Sequence, residues 1–345
     1  KHITLAPHCW LAEQAQLCSQ DNLEASPQAA HAHFDLSKLE ISRLSAVFPE
    51  GLAWQGALQG NVEMNWQVNQ PPELKLELIT DNGAIGLSRD DDEPLTLPYH
   101  QLRLAANTEA DHQIKFRFDM QAPNMGQGYV EARIKPDEKP YTINGAMLLE
   151  KVNLAILKPF LPAMQHLAGE MNLSGGLSGR ITQPDFYGEF SLTGGEAQAK
   201  NTPINLTNTA INASIRGKEA AITGQLNSGE GLAKLGGKLD WSGDEPVMNL
   251  HVTGDKLEFK QKPLFKAKIS PDLNVQVKPY YVDIKGKATV EDAVLRPQTL
   301  SDKAVALSPD VRVIDLNASD RLKIAKIMRQ WDINADIDLL LADNV

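Results

Sequence analysis

Hydrophobic residues recur at every second position, and that beat keeps restarting along most of the chain with almost no helical pattern between the restarts. Leu58, Val62, Met64, Trp66 and Val68 share one parity, and Ile114, Phe116, Phe118 and Met120 share another. The pattern returns at Ile143, Gly145, Met147 and Leu149, at Leu235, Gly237, Leu239 and Trp241, at Val282, Ile284, Gly286, Ala288 and Val290, and at Ile333, Ala335, Ile337, Leu339 and Leu341. Successive strand residues point to opposite faces, so each run predicts a strand with one apolar side and one wet side. A chain built almost wholly of such strands must hide one long apolar face, under its own chain or under a guest. Alternation by itself does not choose between a closed sandwich or barrel and an open groove.

The composition is globular, at 42% hydrophobic and 23% charged residues, which excludes wholesale disorder. Aromatics are only 6%, low for a sandwich that packs large rings at its centre. A net charge of -10 lacks the basic stripe that tracks phosphates, so nucleic acid is not an expected partner. No run approaches the roughly 18 to 20 apolar residues that cross a bilayer. The chain begins without Met and stops within a strand pattern, which is expected of a piece of a longer protein.

An internal repeat runs at a constant offset of 113 residues, beginning with LSKLEISRL at Leu36 and LEKVNLAIL at Leu149. In this register Leu39 matches Val152, Ile41 matches Leu154, Leu44 matches Leu157, Pro49 matches Pro162, Gly56 matches Gly169 and Leu58 matches Met171. Each copy predicts a strand, a short Pro-containing helical turn (near 45–53 and 159–168), a Gly stop and another strand. A weaker echo links YGEFSLTGGEAQAK from Tyr187 with KGKATVEDAVLRPQ from Lys285. Further breaks are expected at Pro71-Pro72, Asp81-Asn82-Gly83, Gly175-Gly176, Gly194-Gly195, Ser228-Gly229, Gly243-Asp244 and Pro271-Asp272. The stretch 298–331 loses the strict beat, and Ser319 is placed to cap a helix carrying Leu322, Ala325, Met328 and Trp331. The expected organisation is a cysteine loop and entry strand (1–35), a first β module (36–148), a second (149–297), a linker with a short helix (298–331) and the start of a further β module (332–345).

Signatures of chemistry are missing. There is no GxSxG elbow, HExxH or phosphate-cradling GxxxxGK[ST], and no carboxylate pair stands out, so no catalysis and no cofactor are expected. The run Asp90, Asp91, Asp92 and Glu93 lacks the ligand spacing of a calcium loop and is expected at a solvated hairpin tip. Lys256, Lys260, Lys262, Lys266 and Lys268 are expected at the wet positions of strands whose other face is Leu257, Phe259, Phe265 and Ile269. Cys9 and Cys18, nine residues apart, suit a small disulfide loop. Two reduced thiols, or zinc held with His8, His31 and His33, are the alternatives, although the spacing matches no short zinc knuckle.

From Gly179 onward, GRITQPDFYGEFSLTGGEAQAKNTPINLTNTAINASIRGKEAAITGQL resembles the TamB family, with its Gly, Pro-x-x-x-Gly and following strand. The segments FDLSKLEISRLSAVFPEGLAWQGALQGNVEMNW and VNLAILKPFLPAMQHLAGEMNLSGGLSG, and the HCW...LC loop, resemble the same family, so the likeness covers nearly the whole chain. That resemblance implies an interior to C-terminal part of a large periplasmic protein of Gram-negative bacteria, anchored in the inner membrane and working with the outer-membrane barrel TamA. It implies a mostly β fold, an elongated sheet curled like a half-pipe or taco around an apolar lumen, with a few short helices. It implies movement of phospholipid between the membranes in support of outer-membrane protein and autotransporter assembly. An oxidising periplasm also favours the Cys9–Cys18 disulfide.

On this reading the residues expected to line the lumen, with parity slipping at bulges, are Leu58, Val62, Met64, Ile114, Phe116, Phe118, Phe190, Leu192, Ile211, Ile222, Leu226, Leu239, Leu250, Val252, Val275, Val277, Ile284 and Val290. The competing expectation is a scaffold whose sheet edges pair with unfolded outer-membrane polypeptides by β-augmentation.

Overall fold

A computed structural model describes residues 2–49, 51–87, 95–123, 126–135, 139–161, 164–200, 202–261, 265–295 and 332–342. The predicted helix and linker of 298–331, and the acidic run 90–93, lie outside the described residues. The fold is mostly antiparallel β-sheet, and its helices, among the described residues, are two 3-10 segments, Ile41–Val47 and Leu154–Phe160. Residues 1–162, 166–195 and 212–218 form one unit, and 163–165, 196–211 and 219–345 form another.

The first unit opens with four short strands, β1 (Ile3–Leu5), β2 (Cys9–Ala12), β3 (Ala15–Ser19) and β4 (Leu23–Ala25), which pair as β1–β4 and β2–β3 and attach to β5 (Ala29–Glu40). A meander follows: β6 (Leu52–Gln67), β7 (Glu73–Leu87), β8 (Leu95–Thr108), β9 (Ile114–Ala122), β10 (Gly126–Ile134), β11 (Thr142–Asn153) and β12 (Met164–Arg180). Each of these strands pairs antiparallel with the next. β13 (Gln183–Ala199) and β14 (Leu206–Gly217) each contribute residues to both units.

In the second unit β15 (Glu219–Ser228), β16 (Gly231–Asp240) and β17 (Val247–Asp255) continue the antiparallel order. At Lys256, with φ of 50°, the chain kinks out of β17 into β18 (Leu257–Gln261), and both segments pair with β19 (Phe265–Lys278). β20 (Tyr281–Leu295) pairs antiparallel with β19, whereas β21 (Asp332–Leu341) pairs with β20 in parallel.

The 113-residue repeat is visible in the backbone itself. A bulge shifts the register between Leu36 and Leu39, and another between Leu149 and Val152, with Lys38 (φ 54°) and Lys151 (φ 56°) at the extra positions. The two 3-10 segments follow at the same offset, and then Gly56 (φ 142°) and Gly169 (φ 138°). The helical turns therefore lie earlier than the expected 45–53 and 159–168. β6 already begins at Leu52 and β12 at Met164, because the apolar beat overrides the local Pro signal.

Several expected breaks are not turns. Asp81-Asn82-Gly83, Gly175-Gly176, Gly194-Gly195 and Pro271-Asp272 all lie inside long strands. Asn82 and Gly194, at φ of 53° and 59°, occupy the left-handed region within β7 and β13. Pro271 pairs with Ala288 on one side, and on the other it falls between the ladder to β18, which ends at Ile269, and the ladder to β17, which starts at Asp272. A residue without an N–H is tolerated at that gap.

Candidate functional site

Ladder partners share a face, so the register shows which side chains stand together. In the first unit one such row crosses β5 to β11 as Phe34, Val62, Leu76, Ala106, Phe116, Ala132 and Gly145. A neighbouring row holds Met64, Leu74, Thr108, Ile114, Ile134 and Ile143. In the second unit Ile222, Gly237, Leu250, Val275, Ile284 and Ala335 form one row, and Leu239, Met248, Val277, Val282 and Ile333 form another. No charged residue stands on this face along the paired rows.

The register sets Leu58, Val62, Met64, Ile114, Phe116 and Phe118 on one face of the first unit. It sets Ile222, Leu226, Leu239, Leu250, Val252, Val275, Val277, Ile284 and Val290 on one face of the second. Gly175 and Gly188 abut across β12 and β13, so Phe190 and Leu192, two and four residues beyond Gly188, take the same side as Gly175. Ile211 follows Ala210, whose carbonyl stands against Gly224 of β15. The same face also carries residues that the sequence list did not contain, among them Leu74, Leu76, Leu78, Leu104, Val130, Leu235 and Leu273. The alternation in LKLEL at 74–78 was signal enough to find three of them.

Glycines show that this face is the concave one. A Cβ added at Gly60, Gly128, Gly145, Gly188, Gly237 or Gly286, all on the apolar side, would stand within 3.0 Å of a main-chain carbonyl oxygen on the adjacent strand. On the opposite side, the nearest atom to such a Cβ is 3.3 Å away at Gly86, 3.5 Å at Gly176 and 3.9 Å at Gly236. Neighbouring backbones crowd together on the inside of a bend and separate on the outside, so the sheet of each unit curls toward its apolar side.

Among the described residues no second layer fills the concavity. Side chains at the centre of a sandwich fall below a tenth exposed, yet most large apolar residues here are only half-buried, and Met64 and Phe118 are 42% and 37% exposed. Leu192 departs from the rest of the predicted set, being buried at 7% exposure.

The convex face of the first unit is a charge ladder. Arg103 pairs with Glu77, Lys75 with Glu63, Arg117 with Asp119, and Arg133 with Glu109. Glu131 receives Lys115 at 3.0 Å and Arg117 at 3.2 Å. Lys115 above all, with Arg117 and Arg133 adding to it, holds the Glu131 carboxyl below its ordinary range against the opposing effect of burial. Lys260 and Lys266 flank Glu258 on the wet face of β18 and β19, as expected for the lysine row there, while Lys262 lies outside the described residues.

Cys9 and Cys18 are direct ladder partners of β2 and β3, with their sulfurs 2.05 Å apart. His31 bonds Asn65, and His33 contacts Asp21 at 3.1 Å. Among the described residues no cluster of three metal-ligating side chains occurs, and no helix is long and apolar enough to cross a membrane.

Comparison with known proteins agrees with the geometry. The TamB N-terminal domain matches residues 1–192, and the TamB C-terminal domain matches residues 218–345. The translocation and assembly module subunit TamB of Haemophilus influenzae is 20% identical over 333 residues, which is 95% of this chain and 25% of that protein. This chain thus spans about a quarter of the length of that relative. No solved structure matches. By these matches the chain belongs to the TamB family.

Proposed function

We propose that this chain is a passive conduit segment: a periplasmic part of an inner-membrane-anchored, TamB-like protein, whose apolar concavity carries phospholipid acyl chains between the inner and outer membranes. The observation that carries this reading is the uncharged, half-exposed, concave face present in each unit. Each CH2 kept from water is worth about 0.8 kcal/mol, so such a lining holds a tail without chemistry, cofactor or metal. The charged convex face suits an aqueous compartment, and the Cys9–Cys18 bond suits an oxidising one. The relative's name, a subunit of a translocation and assembly module, supports a role beside a TamA-like barrel in outer-membrane protein and autotransporter assembly.

Phospholipid in organic extracts of the purified chain, and transfer of labelled phospholipid between vesicles, test the proposal directly. Val275→Arg, in the middle of a concave row, is expected to abolish transfer while strand content by circular dichroism stays unchanged. Extracts free of phospholipid, or undiminished transfer by the variant, would overturn it.

A second reading has its own observation. β21 has one partner strand among the described residues, and nine of its ten residues are exposed. Such an edge suits β-augmentation by an unfolded outer-membrane polypeptide.

A further inference from the structure

Burial divides the concavity of the first unit into two unlike arms. Toward the start of β6 and the end of β9, Trp54, Ile85 and Met120 pack on Tyr99, Leu102 and Ala122, which are 2%, 4% and 6% exposed. The polar atoms there are satisfied internally. Trp54 Nε1 donates to Tyr99 Oη at 3.0 Å, and that hydroxyl lies 3.0 Å from both Thr80 Oγ1 and the Gln55 carbonyl. In the repeat, Val152, Leu167 and Leu192 occupy the same arm and are buried at 8%, 7% and 7% exposure. Toward the other ends of the strands the described bulky side chains stay half-buried or exposed, and the buried residues are alanines, Ala106 and Ala132.

We propose that a lipid tail occupies only the open arm and keel, against Met64, Phe116 and Phe118, while the Trp54–Tyr99 arm is a protein-filled spine that takes no guest. This rests on the lipid reading above and assigns it a location. The chemistry of the open arm argues for hydrocarbon: among its described residues the paired rows carry no charge, and the Thr108 Oγ1 hydroxyl is engaged by the Leu74 N–H and the Pro72 carbonyl. Dimensions agree as well. Six strands, β6 to β11, set side by side at about 4.8 Å give a floor about 24 Å long. One acyl tail spans about half of a hydrocarbon core about 30 Å thick, so the floor seats a tail lengthwise. The flexible methionine adapts to a fluid guest, whereas the interlocked hydrogen bonds of the other arm fix one arrangement.

The test places a photoreactive phenylalanine analogue at Met64 or Phe118 in the open arm, and at Trp54 or Ile85 in the filled arm, of the full chain. Each variant is irradiated with vesicles of equimolar dioleoyl phosphatidylethanolamine and dioleoyl phosphatidylglycerol, and adducts are read by intact mass. Lipid-mass adducts from Met64 and Phe118, with none above the unirradiated background from Trp54 and Ile85, are the expected result. Equal labelling of both arms, or labelling of the Trp54 arm alone, overturns the assignment and leaves the conduit standing. Absence of lipid adducts at all four positions overturns the conduit itself.

Where a probe in the filled arm prevents folding, a charge pair of variants gives an independent reading. Met64→Arg is expected to lose co-purified lipid with an unchanged thermal midpoint, and Leu102→Arg to lose the folding transition. Retention of lipid by a folded Met64→Arg overturns the assignment.

Discussion

The two copies of the repeat make the same backbone with different fillings. Both use a left-handed lysine at a bulge, a 3-10 turn and a glycine near φ of 140°. Over Gly56 the first copy sets a polar knot of Tyr99 and Thr80, joined by Trp54. Over Gly169 the second copy sets Leu192 and the backbone of Gly195, and Leu167 stands where Trp54 does. What the repeat preserves is therefore a bend, and either hydrogen bonding or aliphatic packing fills the space above it. An apolar filling stabilises by area and a polar one only when every partner is present.

That comparison is sharpest where the fillings are removed. Leu167→Ala is expected to cost about 2 to 4 kcal/mol in denaturant unfolding, because a side chain 7% exposed leaves a cavity. Gly169→Ala follows at about 2 to 3 kcal/mol, since the new methyl meets the Gly195 Cα at 2.9 Å at a φ that strains any L residue. Gly56→Ala is comparable alone, but its obstacles are the hydroxyls of Tyr99 at 2.5 Å and Thr80 at 2.8 Å. A double-mutant cycle with Tyr99→Phe should recover part of the loss, and no side-chain change relieves the Gly195 backbone contact. Additive losses at Gly56 and Tyr99 would show that the two fillings are not alternatives.

Tyr99→Phe by itself is expected to cost about 1 to 2 kcal/mol by stranding the Trp54 N–H and the Thr80 hydroxyl. Between the copies, β9 and β10 depend on charge. The depressed Glu131 carboxyl contributes stability at neutral pH that is lost as pH falls through its folded value, below the ordinary carboxylate range near ~4.3. Glu131→Gln should therefore lower stability at neutral pH and flatten the acid limb of the pH–stability curve. The smallest effect is at the bulges, where Lys38→Gly and Lys151→Gly should each raise stability by up to about 1 kcal/mol, less the entropy that glycine adds to the unfolded chain. Unequal responses would separate the copies at a feature they hold in common.

Strand existence and facing were legible in the residues because period-two patterning is a direct image of a sheet face. The offset of 113 was legible too, with its helical turn and glycine, but the bulge that precedes them was not. Lys38 and Lys151 carry no mark of a left-handed backbone, and a bulge is chosen by the ladder around it. Gly175-Gly176 and Pro271-Asp272 read as turns because local signals report bending without saying whether the strand resumes. Depth was invisible as well: Leu192 and Phe118 belong to the same predicted set, yet one is sealed and the other open. Parity names a side, and only the packing of distant strands decides what remains of it.

The parallel pairing of β20 with β21 has an outcome for the rims. In an antiparallel meander consecutive hairpins emerge on alternate borders, so a given border collects every second loop. Two adjacent strands travelling the same way interrupt that count. Because β20 and β21 run the same way, the chain leaves the sheet at Leu295 on one border and re-enters at Asp332 on the opposite one, so no hairpin joins this last pair.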